Sequence, residues 1–402
     1  MNSVGIDVSK GKSMIAVMRP FGEVVVTPYE VRHTDSELGE LAKLLKSLDG
    51  ETRIVMESTG NYHTPIAWAL NDAGFYVSVV NAMLVHDYKN NSLRRVKTDK
   101  KDAAKLANYG LDQWFELPRY VPEEDTRLML KNCYRQYQQY SKVQTMLKNN
   151  LISLLETAFP NANRLFLSPP RADGSEKWVD FVADFWHCEC VCGLSEKAFI
   201  SKYQKWCKKR GYNFSQAKAS SVYAEASGYI SVMPKNDTTK LLVEQAVSQL
   251  RATSGALAAL KQEMQALAST LPEYPVVMKM FGVGPTLGPQ LMAEIGDVRR
   301  FHSKKALVAF AGLDSPPNDS GQVTNNHRRM TKRGSPALRR TLFLVMGVIL
   351  QNAPADDPVY QFMAKKRAEG KPYRVYMMAS ANKFLRIYYA SVKAHLEATK
   401  EA

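Results

Sequence analysis

Short runs rich in apolar residues, set off by polar and glycine-containing breaks, open the chain. "VGIDVS" (4–9), "SMIAVM" (13–18) and "EVVVTPYEV" (23–31) predict three strands in a row joined by short turns. Helical spacing and strand-like runs then alternate. "DSELGELAKLLKSL" (35–48) predicts an amphipathic helix, "RIVME" (53–57) a buried strand, and "TPIAWALNDAG" (64–74) a helix closed by Gly74. "FYVSVV" (75–80) follows as a fifth strand, then helical sequence through Leu106. The order βββαβαβα predicts a mixed five-stranded sheet with helices against it.

From Glu124 to Ala158 the pattern is helical without a break, with Leu147, Leu151 and Leu154 on one face. A second long helix over about 238–270 carries Leu250, Leu257, Leu260, Met264 and Leu267 at heptad-like spacing. Such helices pair as a coiled-coil arm, as a dimer seam, or as two members of one bundle. Residues 160–235 carry no clear period. A basic, mainly helical region follows Pro272. The expected division is 1–115, then 116–272 with its variable middle at 160–235, then 273–402.

With 402 residues, 45% hydrophobic and 23% charged, the chain has the make-up of a globular protein with more than one core. The net charge of +15 is far from that of an ordinary metabolic enzyme. It favours polyanionic partners, nucleic acid first and an acidic membrane surface second. The most apolar window, "LFLVMGVIL" (342–350), is too short to span a bilayer, and the N-terminal stretch has no secretory pattern. Five cysteines, an odd number, do not make a disulfide framework, so the reducing cytoplasm is the expected home, with no membrane partner. In "HCECVC" (187–192) the C-x-C-x-C spacing lacks the usual zinc pairs, and the thiols are read as packed or partly exposed.

Chemistry is concentrated in the acids of the first region. Asp7 lies in the first predicted strand and Glu57 closes the fourth. Asp99 and Asp102 share a helix face inside "RRVKTDKKDAAKLA" (94–107), a stretch with six basic side chains. Acids at a helix start also suit the helix dipole by themselves. If the four converge at the strand ends, their mutual repulsion calls for a cation, and Mg2+ takes such oxygen ligands together with phosphate. Arg94, Arg95, Lys97, Lys100 and Lys101 would then grip the strand being cut.

"GIDVSK", "ESTGNYH" and "VKTDKKDAAKLA", at these separations, resemble the RuvC-like, RNase H-like nuclease domain of the DEDD transposases of bacterial insertion sequences. That family is also known as bridge-RNA-guided recombinases. "GIDVS" alone also opens sugar kinases, whose later Gly-rich phosphate loops are missing here. "FGVGPTLGPQLMAEIGDVRRFHSKKALVAFAGL" (281–313) resembles a helix–hairpin–helix, whose glycines bring backbone N–H groups to phosphates. Residues 299–340 hold ten Lys or Arg against two Asp. Within them, "GLDSPPNDSGQVTNNHRRMTKRGSPALRR" matches the family's C-terminal transposase block.

The resemblance implies DNA strand cleavage and exchange, helped by Mg2+, through a covalent phosphoserine. The family's nucleophilic serine precedes a glycine and maps onto Ser320, with Ser315 and Ser335 as weaker candidates. Arg328, Arg329, Lys332, Arg333, Arg339 and Arg340 would neutralise phosphate charge. The implied partners are donor and target DNA, a noncoding guide RNA, and further copies of the chain as a dimer or dimer of dimers near the nucleoid. A water-using junction resolvase and a non-catalytic nucleic-acid-binding protein are the competing expectations.

Overall fold

A computed structural model of the chain describes residues 1–88, 98–315, 319–320, 323–324 and 329–399. Of Asp87 and of residues 319–320 and 323–324 the backbone alone is described. The chain divides into two compact units, Met1–Glu123 and Glu124–Ala402.

The first unit is built on a mixed five-stranded sheet, β1 (Asn2–Ser9), β2 (Lys12–Met18), β3 (Val24–Arg32), β4 (Thr52–Glu57) and β5 (Tyr76–Val80). The spatial order is β3-β2-β1-β4-β5. The first three strands are antiparallel neighbours, whereas β4 and β5 run parallel to β1. Pro28, which has no N–H to give a ladder, sits on the edge strand β3. This arrangement is compatible with an RNase H-like domain.

Each strand alternates its faces. Val4, Ile6 and Val8 of β1 and Ile54 and Met56 of β4 enter one core with Leu38, Leu41 and Leu45 of α1 (Asp35–Lys46) and Ile66 and Leu70 of α2 (Thr64–Asp72). The other face is covered by α3 (Ala82–Asp87) and α4 (Asp99–Asp112), with Val55, Val85 and Leu106 in the core between.

The second unit starts with an antiparallel helical hairpin, α5 (Asp125–Ala158) and α10 (Asp237–Ser269). The expected long helices therefore pair with each other inside one chain. A buried Arg127–Glu273 ion pair ties one end. Gln144 Nε2 donates to Ser254 Oγ at 2.9 Å midway. Leu151 and Leu155 share the far core with Val243, Val247 and Leu250.

Between those helices the region without a clear period forms α6 (Lys177–Asp184), α7 (Glu189–Cys192), α8 (Glu196–Arg210) and α9 (Gln216–Gly228). Its core is aromatic, with Phe159, Phe166, Phe181, Phe185, Phe199, Tyr203 and Trp206 in one cluster. The five cysteines are free thiols, Cys188 and Cys207 buried and the other three half-buried.

After α10 come α11 (Tyr274–Met278), α12 (Leu287–Ile295), α13 (Lys304–Phe310), the short strands β6 (Asp319–Ser320) and β7 (Val323–Thr324), then α14 (Pro336–Asn352), α15 (Pro358–Ala368) and α16 (Tyr373–Ala398). The helices pack in one core with α16, whose Leu385 and Tyr388 are fully buried. Among the described residues, no helix is long and apolar enough to cross a membrane.

Candidate active site

The site in the first unit is set by glycine. A Cβ on Gly5 of β1 would lie 2.0 Å from the Ala103 carbonyl oxygen and 2.3 Å from the Ala107 nitrogen. A Cβ on Gly110 would meet Ser3 Oγ at 2.3 Å. So α4 lies directly on β1, running opposite to it, and only small residues permit that approach. This contact places the first turn of α4, with Asp99 and Asp102, at the end of β1 that carries Asp7.

Asp7 and Glu57 reach the same place from the sheet. Ile6 is in register with Met56 on the parallel neighbour, so the next positions, Asp7 and Glu57, turn their side chains together to the α4 face. Thr98 caps α4, its hydroxyl accepting from the Lys101 N–H at 3.4 Å. The helix start therefore adds N–H dipoles to the acidic end of the sheet.

Asp7, Glu57, Asp99 and Asp102 line a single cavity of about 370 Å³. Asp7, Glu57 and Asp102 are half-buried and Asp99 is exposed. The wall also includes Ser9, His86 of α3 and Lys105 of α4, none of which the sequence pattern had marked. Lys105 Nζ donates to the His86 carbonyl at 3.3 Å, joining the two helices over the cavity.

The donor set is carboxylate oxygen, the hard chemistry that suits a divalent cation such as Mg2+. The acids line the wall rather than forming a tight cluster. Among the described residues, no group of three His, Cys, Asp or Glu stands close enough to hold an ion as placed. Of the basic residues beside them, Lys100 and Lys101 are exposed on the first turn of α4. Arg94, Arg95 and Lys97 lie outside the described residues.

In the second unit the basic block is anchored to its framework. Lys332 has a positive φ of 56° and its N–H donates to the Gly312 carbonyl at 3.1 Å. Gly334, at φ 153°, is so close to the preceding turn that a Cβ would fall 2.3 Å from the Phe310 oxygen. Arg339 Nη1 donates to the Ala311 carbonyl at 2.9 Å and the Gly334 carbonyl at 3.3 Å, clamping the loop. Arg329, Lys332, Arg333 and Arg340 remain exposed.

Both weaker serine candidates have framework partners. Ser315 Oγ donates to the Arg329 carbonyl at 3.1 Å. Ser335 caps α14 and donates to the buried Glu294 carboxylate at 2.6 Å. Ser320 lies in β6, paired with Val323 of β7, and its side chain is outside the described residues, as is Arg328. The glycines of the expected helix–hairpin–helix include packing positions. A Cβ on Gly282 would meet Ile349 at 2.8 Å, and one on Gly288 would meet Met278 Sδ at 2.7 Å.

Comparison with known proteins bears on both blocks. A family model described as "Transposase" matches residues 4–160, which include all four acids. The model of the "Transposase IS116/IS110/IS902 family" matches residues 274–361, which include the basic block. The chain belongs to this transposase family.

Several relatives align along most of its length. The "Insertion element IS110 uncharacterized 43.6 kDa protein" of Streptomyces coelicolor is 21% identical over 390 residues, 97% of this chain and 93% of the relative. The corresponding IS116 protein of Streptomyces clavuligerus is 23% identical over 392 residues, 97% and 94% of the two chains. The "Pilin gene-inverting protein" of Moraxella bovis is 23% identical over 342 residues, 85% and 80%. This transposase is an enzyme of DNA recombination, and transposases of the DEDD type use divalent metal ions.

Proposed function

We propose that this transposase cuts and rejoins DNA strands through a covalent bond to Ser320, with Mg2+ held by Asp7, Glu57, Asp99 and Asp102. The observation that carries the metal assignment is the meeting of four acids from three distant segments in one cavity. The Ser320 assignment draws on the family resemblance of its Ser-Gly loop.

When bound, Mg2+ supplies positive charge that stabilises the phosphate oxygens as the strand breaks. The chain's own residues do the rest. The Ser320 hydroxyl attacks phosphorus and gives up its proton, and the bond from phosphorus to the departing sugar oxygen breaks as that oxygen takes a proton. The phosphodiester energy is kept in the phosphoserine, so a sugar hydroxyl of a second strand attacks it and frees the serine without ATP. Arg329, Lys332 and Arg333 offset phosphate charge from their anchored loop.

Exchange between two duplexes asks for more than one copy, so the working form is a dimer or dimer of dimers. A structured noncoding RNA chooses donor and target by base pairing, which fits a basic chain. Inversion of a DNA segment, as the Moraxella relative's name states for that protein, is chemistry of the same kind.

Ser320→Ala tests the covalent step. Strand exchange and the protein–DNA adduct should both disappear, while DNA binding persists. A Ser320→Ala protein that still cuts at the parent rate would make the enzyme a water-using nuclease.

A further inference from the structure

The helical region 161–235 lies outside both matched family segments and carries a cation cluster that the DNA chemistry above does not use. Lys177 Nζ stands 4.9 Å from the ring centre of Phe166, 5.9 Å from that of Tyr203 and 5.1 Å from that of Tyr212. Lys218 Nζ approaches the same Phe166 ring at 5.5 Å. The Arg171 guanidinium lies 3.9 Å over Tyr212, fixed by its bonds to the Arg210 and Gly211 carbonyls. Three cations are thus held around one set of rings.

Three of the four nearby acids are committed elsewhere. Glu176 is bonded to Lys148 at 2.6 Å and to the Trp178 indole. Asp180 is bonded to Arg251 at 2.6 Å and to the Tyr212 hydroxyl. Asp184 holds Arg210 and the Trp206 indole. Asp173 accepts from the Ser175 N–H, within electrostatic reach of Arg171. Among the described residues, no carboxylate forms an ion pair with Lys177 or Lys218.

We propose that Arg171, Lys177 and Lys218 form a seat for the phosphodiester backbone of a nucleic-acid strand. The rings fix the cations without neutralising them, because a ring face attracts a cation but carries no net charge. Phe166 and Tyr203 are buried, which makes them supports for the cations rather than stacking platforms for bases. Burial, and then the charges of Lys218 and Arg171, hold the Lys177 ammonium below its usual range against an opposing contribution from Cys207. A bound phosphate would relieve that repulsion. The seat reads charge and not sequence.

This inference rests on the nucleic-acid partner of the proposed function. The test is binding by the full-length chain of a fluorescent mixed-sequence single strand, made once as RNA and once as DNA, across a range of salt. Lys177→Gln/Lys218→Gln should bind about tenfold more weakly, with a salt slope shallower by about 1.4, the release expected for two phosphate contacts. Lys177→Arg/Lys218→Arg should keep the parent slope. The strand type whose binding changes identifies the source of the backbone.

Equal affinity and slope in parent and Gln variant would overturn the seat while leaving the transposase reading intact. A parent that binds neither strand would defeat both. If the double variant fails to fold by circular dichroism, Lys218→Gln alone decides. It should show about half the slope change, and an unchanged slope overturns the proposal.

Discussion

Acids on helix α4 and acids on helix α6 have nearly the same spacing and opposite fates. Glu176, at the start of α6, and Asp180 and Asp184 within it are each bonded to a cation and to a tyrosine or tryptophan side chain, and they fasten α6 to its neighbours. Asp99 and Asp102 open onto a cavity shared with Asp7 and Glu57. Acid spacing on a helix therefore does not mark a site. What sets the two groups apart is the framework, in which the α6 acids each meet a packed-in cation and the α4 acids share one cavity wall with Asp7 and Glu57.

The contrast predicts opposite responses to losing a carboxylate. The strongest structural case is Glu273, which is 1% exposed and bonded to Arg127 at 6%. Glu273→Gln removes the buried counter-ion and leaves Arg127 with the exposed Glu124 carboxylate 3.4 Å from its Nε, and urea unfolding should give a loss of about 3 kcal/mol. Replacing both partners, as Arg127→Met/Glu273→Leu, should recover most of it.

In the cavity the loss should appear in chemistry instead. Asp7→Asn should cut DNA strand cleavage about a hundredfold or more while leaving the melting temperature at or above the parent value. A cavity acid whose removal unfolds the protein would place it with the structural class.

Gly5→Ala probes the geometry that joins the sheet acids to the helix acids. Its Cβ would strike the Ala103 carbonyl, so α4 must shift. The cost should be about 1–3 kcal/mol in denaturant unfolding, with cleavage falling further than stability accounts for. Asp180→Asn should show the smallest effect, about 1–2 kcal/mol, because Arg251 is partly solvated. Its cleavage rate should be unchanged under native conditions.

Much of the first unit could be read from the chain. The alternating run "VGIDVS" and the continuous apolar run "RIVME" become β1 and β4. Ser9, His86 and Lys105 went unmarked because their place in the wall comes from how α3 and α4 dock, which leaves no trace in spacing. Gly5 could be read only as part of a motif, since its reason lies in Ala103 and Ala107, about a hundred residues on.

The 160–235 region was opaque for a different reason. Its core rests on bulky rings at irregular intervals, such as Phe166, Trp178, Phe181, Phe199 and Trp206, and a few large side chains fill space without a regular stripe. The long helices were legible, but their partner was not. Heptad-like spacing says that α5 and α10 want a mate, and contacts such as Gln144–Ser254 identify that mate as each other.

A divalent ion at the acidic cavity is the centre of the proposed chemistry. Thermal unfolding of the full-length chain against rising Mg2+ concentration tests it directly, with parent and Asp7→Asn/Asp102→Asn compared side by side. The parent should melt at steadily higher temperature as Mg2+ fills the site, and the double variant should stay flat. The same rise in both proteins, or none in the parent, would contradict the metal assignment.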